Sequence, residues 1–266
     1  MKFSPALTTL LVLSTAIANA AELKENTLAA WDRYVETMDA RLSKASASGP
    51  FLGIDEDPKQ LQRLRGGDPI VWQIKNQSTQ AVPEGMIHHW AGAVFVPNAT
   101  LADALAAVRD YAQYPNWFGP TVHRANLLNQ TGDEDRFALI YVRKVLFVTA
   151  VLETESITRF SSLSATRLYS VTRSSRIQDV HDYGKPGESR TLSDVGNGYL
   201  WRAYSVSRYE QRDSGLYIEQ ETIGLSRDIP TAIRWLVEPA IRGLSRDLME
   251  KSLLQTRRAI LLKSGR

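Results

Sequence analysis

Apolar residues recur at three- and four-residue steps near the start of the chain, where Leu28, Trp31, Tyr34, Val35, Met38 and Leu42 share one side. That spacing predicts an amphipathic helix from Thr27 to Lys44 with Asn26 as its N-cap, ending before Ser46, Ser48, Gly49 and Pro50. A second short helix is expected over Pro58 to Arg65, stopped by Gly66-Gly67 ahead of an extended Pro69 to Ile74. Residues 21–80 thus carry one apolar stripe and no core of their own, and read as an N-terminal helical arm packed on a main domain at 81–266. That domain opens with a strand at Gly85 to Pro97, followed by a helix capped by Asn98 or Thr100 that runs to about Tyr114. The run Pro115 to Pro120 breaks it. From Val122 to Ser226 the pattern is β, punctuated by turns at Gly132-Asp133, Gly184 to Gly187, Gly196 to Gly198 and Asp213 to Gly215. A long helix from about Pro230 to Leu262 closes the chain, with Ile233, Val237, Ile241, Leu244 and Leu248 turned inward and Pro239 inside it.

The last turn fixes facing residues. With Asp213-Ser214 as a two-residue hairpin loop, Arg208 opposes Glu219, Val206 opposes Glu221 and Tyr204 opposes Ile223 on one face. The other face carries Trp201, Ala203, Ser205 and Ser207 against Ile218, Gln220 and Thr222. Which of the two faces looks inward is left open by parity alone.

The N-terminal residues read differently. Lys2, an apolar run from Pro5 to Leu13 and small residues ending Ala18-Asn19-Ala20 form a signal peptide over residues 1–20, so the mature protein is expected to be periplasmic or secreted and to begin at Ala21. The run is shorter than the roughly 20 residues a spanning helix needs. With no cysteine, the chain has no disulfide, thiolate metal site or cysteine nucleophile, and an exported protein of this kind stands on its core. Its 32 basic residues against 29 acidic ones are spread out, without the concentrated basic face that nucleic acid requires.

The order strand, short helix, broken loop, antiparallel strands and long C-terminal helix resembles the helix-grip fold of the START-like (SRPBCC) superfamily. Two segments carry the likeness: Val108 to Tyr111 with Tyr114 to Pro120, and Gly198 to Arg202 with Gly215 to Glu219 and Leu225 to Pro230. The resemblance covers residues 82–262, is similar to uncharacterised exported bacterial members, and implies an α+β fold in which a curved antiparallel sheet wraps the C-terminal helix. It also implies a cavity for an apolar small molecule or lipid, although fold alone does not give function.

Candidate chemistry is sparse. His88 and His89 are adjacent on a strand, point to opposite faces and cannot ligate one ion, so neither a metal nor another cofactor is expected. Glu219 and Glu221 share a face as hydrolase carboxylates can, but with Arg208 and Arg202 opposite they read first as a ladder on a solvated sheet face. Were that face turned to the cavity, Arg202 and Glu221 would anchor a head group. Arg167 and Tyr169 alternate with apolar neighbours, and a buried arginine needs a partner. No catalytic residue is assigned. The expected ligand-binding set, beneath the C-terminal helix, is Trp117, Arg167, Tyr169, Trp201, Tyr204 and Ile241. Trp201 and Tyr204 sit an odd number of residues apart, so a bulge or an error is built into that pair. The partner is a hydrophobic small molecule or lipid, with room for transient membrane contact. A polyketide cyclase-like enzyme and a ligandless envelope protein are the rival readings.

Overall fold

The computed structural model describes residues 21–74, 79–145, 148–228 and 231–265, with the backbone alone for 144, 145, 148 and 231–244. The leader expected at 1–20 lies outside these residues. After a two-residue strand β1 (Ala21–Glu22), helix α1 spans Glu25–Ser48 and buries Trp31, Val35, Met38 and Leu42. It starts ahead of Asn26, and Lys24 holds the cap position without a side-chain bond. Tertiary contact sets this start: Thr27 donates its hydroxyl to the Pro83 carbonyl at 2.7 Å, pinning the first turn to the sheet edge. Helix α2 (Pro58–Arg65) follows, its first-turn amides at Lys59 and Gln60 satisfied by Asp57 at 3.1 Å.

Strands β2 (Ile70–Gln73) and β3 (Thr79–Val82) both pair with one edge of β4 (Gly85–Pro97). The arm therefore contributes strands to the sheet as well as helices. Helix α3 (Leu101–Val108) begins with a reciprocal cap between Thr100 and Asp103. It ends well short of Tyr114: the Asp110 amide turns back to the Ala107 carbonyl at 3.1 Å, and the Tyr114 hydroxyl donates to the Val108 carbonyl at 2.6 Å. A 3₁₀ turn at Tyr111–Gln113 and the short helix α4 (Tyr114–Phe118) instead bring Tyr111 onto Phe137, ring centroids 4.5 Å apart.

The remaining strands are β5 (Val122–Thr131), β6 (Glu134–Val145), β7 (Val148–Ser162), β8 (Arg167–His181), β9 (Ser189–Arg190), β10 (Val195–Gly196), β11 (Arg202–Arg212) and β12 (Gly215–Arg227). Among the described residues the main sheet has ten strands, with the path β2-β4-β12-β11-β8-β7-β6-β5, β3 added at β4 and β9 at β8. Asp213 and Ser214 take φ of 51° and 56°, the left-handed pair of a tight hairpin whose twist suits the flanking strands. The register is the one expected from that turn: Arg208 faces Glu219, Val206 faces Glu221 and Tyr204 faces Ile223.

Helix α5 (Thr231–Lys263) crosses one face of the sheet. On that face Val94, Val96, Tyr209, Leu216 and Ile218 pack with Met249, Leu253 and Ile260. The contact is close enough that a Cβ on Gly92 would meet Leu253 Cδ1 at 2.8 Å. Burying such side chains contributes roughly 1.5–3 kcal/mol each. Of the expected inward stripe, Ile233, Val237, Ile241 and Leu244 lie outside the described side chains. The opposite face of the sheet is covered by the arm: α1 packs on Ile87, Trp201, Tyr204, Val206, Ile223 and Leu225, while Phe51, Leu52, Ile54 and Leu64 pack on Ala93, Phe95 and Tyr217.

Candidate functional site

The arm face holds a buried ionic network. Arg208 in β11 donates to Glu219 at 2.9 Å and lies 3.4 Å from Glu221, and all three residues are 3–5% exposed. Glu219 also accepts the Ile54 amide at 2.9 Å. Glu221 is paired with Arg41 of α1 and with His89 Nε2 at 2.7 Å, and His89 Nδ1 meets the Tyr34 hydroxyl at 2.7 Å. Burial is the main cause that lowers the Arg41 guanidinium below its usual range, with Arg208 adding to it. The solvated ladder expected for Glu219 and Glu221 is thus corrected: the arm closes over them and water is excluded. Every carboxylate oxygen here has a protein donor or cation, so the pair is committed to docking the arm. Arg202, the other arginine expected opposite them, binds Asp194 at 2.5 and 3.0 Å instead.

Four of the six expected ligand-binding residues belong to this same arm face. Trp201 and Tyr204 are buried under α1, and Tyr169 packs in both arm-face clusters. Tyr204 donates to Asp39 of α1 at 2.8 Å. Trp201 and Tyr204 share a face despite their odd spacing because Trp201 precedes β11 and is free of its alternation. Arg167 pairs with Glu210 at 2.7 Å, its side chain 46% exposed, with its guanidinium 5.7 Å from the Phe51 ring. Their expected position beneath the C-terminal helix is therefore corrected: the sheet separates them from α5. Trp117 does lie on the α5 face, packed against the cluster of Val94 and Leu253. The Ile241 side chain lies outside the described residues.

The α5 face has two parts. One is closed, under Met249, Leu253 and Ile260. Along the same strands the other carries Ser205, Ser207, Gln220 and Thr222, the first three half-buried and Thr222 exposed. β11 and β12 are flanked by strands on both sides, so solvent reaches these residues only through space over the sheet. Bordering this stretch on β4 are Trp90, 7% exposed, and His88. The two buried atoms Trp90 Nε1 and His88 Nδ1 have no hydrogen-bond partner among the described residues. Burial holds the His88 imidazole down at about 4. Farther along the face, burial also raises Tyr141 to about 12 and lowers Arg143. His88 and His89 diverge to opposite faces as their adjacency requires. The rest of this wall was missed in the sequence, where Trp90 reads as one more apolar residue; the parity of β4 would have found it, had the face taken by α5 been known.

Among the described residues no helix is long and apolar enough to cross a membrane, and no group of three His, Asp or Glu side chains is placed to hold a metal ion.

With a long antiparallel sheet and a C-terminal helix across one face, the chain has an α+β helix-grip fold of START-like type. Among solved structures, TTHA0849 from Thermus thermophilus is similar at TM-score 0.48 and 11% identity, over 66% of this chain and 99% of that one. A STAR-related lipid transfer protein from Xanthomonas axonopodis is similar at TM-score 0.44 and 14% identity, over 69% and 99%. The Zhui aromatase/cyclase from a Streptomyces species stands at TM-score 0.44 and 10% identity, over 65% and 93%. No family model and no curated protein matches the sequence. At these identities the likeness concerns fold, and ligand and chemistry rest on this chain's own residues.

Proposed function

We propose that the protein binds and carries an apolar small molecule or lipid between the α5 face of its sheet and α5. The observation that carries this reading is the accessibility of Thr222, Gln220, Ser205 and Ser207 in the middle of a ten-stranded sheet, on the face that a helix crosses. Central strands facing a packed helix normally bury such positions, as Val94 and Ile218 do a few residues away. An opening with an apolar floor at one end and hydroxyl and amide groups at the other suits an amphiphile. The lipid-transfer and aromatase/cyclase names among the similar structures agree with a ligand of this kind, and their low similarity leaves the argument with the geometry. Native mass spectrometry of protein purified from its own host tests the reading. A co-purifying apolar ligand supports it, and a ligand-free protein whose melting temperature no lipid or aromatic compound of a broad panel raises would overturn it.

We also propose that this takes place outside the cytoplasm, on the strength of the leader at 1–20. N-terminal sequencing of the fractionated protein should find Ala21 first, and a cytoplasmic product retaining Met1 would refute export.

A further inference from the structure

Resting on the binding site proposed above, we infer that His88 and Trp90 form a paired acceptor and donor that engage an uncharged head group, a hydroxyl in the simplest case, and that disfavour a carboxylate. The two residues are two positions apart on β4, so their side chains leave the same face, the one that Gly92, Val94 and Val96 turn toward α5. Trp90 offers only an N–H, because an indole has no acceptor in its ring plane. The state of His88 follows from its neighbour. Ser226 Oγ lies 3.1 Å from the Arg227 carbonyl, which can only accept, so the single hydroxyl proton is directed there. The contact of 2.9 Å between Ser226 Oγ and His88 Nε2 must then be donated by the imidazole. His88 therefore carries its proton on Nε2 and presents a bare lone pair at Nδ1.

Both atoms are buried, Nδ1 as an acceptor and Trp90 Nε1 as a donor, with no partner among the described residues. A buried polar atom left unpaired costs about 1–3 kcal/mol, which two such atoms on one wall recover when a ligand satisfies them. A hydroxyl does so alone, accepting from Trp90 and donating to His88. A carboxylate brings only lone pairs, so it meets the Nδ1 lone pair with repulsion and leaves its charge in a dry site. Among the described residues, Arg143 is the arginine that a strand turns toward α5, and it lies in β6, five strands from β4.

Titration calorimetry of the full mature chain with dodecan-1-ol, dodecanoate and dodecylamine tests this at pH 7. The alcohol should bind at least about tenfold more tightly than the carboxylate or the amine. Trp90→Phe keeps an aromatic ring without the N–H, and His88→Leu removes the acceptor; each should weaken the alcohol about tenfold, while His88→Leu, which takes away the lone pair that repels it, should leave the carboxylate no weaker. His88→Asn, which can set an amide oxygen near the Nδ1 position, should restore most of the loss. The ¹⁵N shifts of His88 should report a proton on Nε2. Equal or tighter binding of dodecanoate, alcohol affinity unmoved in both variants, or a proton on Nδ1 would overturn the inference while leaving the binding reading intact. If none of the three amphiphiles binds, the binding reading itself fails.

Discussion

Arg208, Glu219 and Glu221 show how a charged residue survives inside this protein. Each is nearly inaccessible and each is held by two or more partners, Arg208 by both glutamates of β12 and the glutamates by groups from several elements. Removing one member leaves uncompensated charge in a dry layer, so Arg208→Met should cost about 3–5 kcal/mol in urea unfolding. Replacing all three at once by Met, Leu and Leu, together with Arg41→Met so that no cation is left without its carboxylate, should recover most of that, since the desolvation is removed along with the attraction. His88 makes a prediction of another kind. Its imidazole titrates near 6.5 when the chain is unfolded and at about 4 when folded. Between those values the unfolded chain binds a proton that the folded one does not, so stability is complete above pH 6.5 and falls as the pH drops toward 4. The loss is of order 3 kcal/mol at most, by urea unfolding at pH 7, 5.5 and 4. His88→Gln should flatten that slope.

The contact between β4 and α5 is set by a missing side chain. A Cβ at position 92 would meet Leu253 Cδ1 at 2.8 Å, the Ile70 carbonyl at 2.9 Å and Met249 Cγ at 3.1 Å. The leucine can rotate away, but the carbonyl is fixed by the pairing of β2 with β4. Gly92→Ala should therefore destabilise by about 1–3 kcal/mol through displacement of β2 or α5, measured by thermal or urea unfolding. Leu253, fully buried at the same contact, should cost about 2–5 kcal/mol as Leu253→Ala. At the other end of the element scale, the arm is tied down by bonds spread along its length: Tyr34 to His89, Asp39 to Tyr204 and Arg173, Arg41 to Glu221, Asp55 to Arg212, and Arg65 to Tyr217 and Asp213.

At the scale of the molecule, the sheet is a wall between two differently built halves. One side is a sealed layer of helix, apolar contact and ion pairs; the other, crossed by α5, carries the accessible Ser205, Ser207, Gln220 and Thr222. A chain lacking residues 21–48 would expose Trp201, Tyr204, Val206 and Ile223 together with the ionic network, and it should aggregate on expression rather than yield a smaller binding domain. Size-exclusion chromatography of that truncation checks this; a monodisperse product would show that the arm is dispensable to the fold.

Much of the local structure was legible from the chain. The limits of α2 and β4, the β-rich middle, the long closing helix and the register of the last hairpin follow from periodicity, caps and a two-residue turn, all of which act within a few residues. The divergence of His88 and His89 is equally local. Parity could sort Tyr204, Arg208, Glu219 and Glu221 onto one face but could not say what would cover that face, since the alternation of a strand is unchanged when its two sides are exchanged. That choice belongs to the arm and to α5, whose contacts reach across most of the chain, such as Arg41 with Glu221 or Gly92 with Leu253. Residue patterns by themselves determined most of the elements and the pairing of the last hairpin; only the tertiary packing decided that the arm adds strands to the sheet, that the charged face is sealed, that Trp201 and Tyr204 are structural neighbours of α1, and that His88 and Trp90 stand on the face crossed by α5.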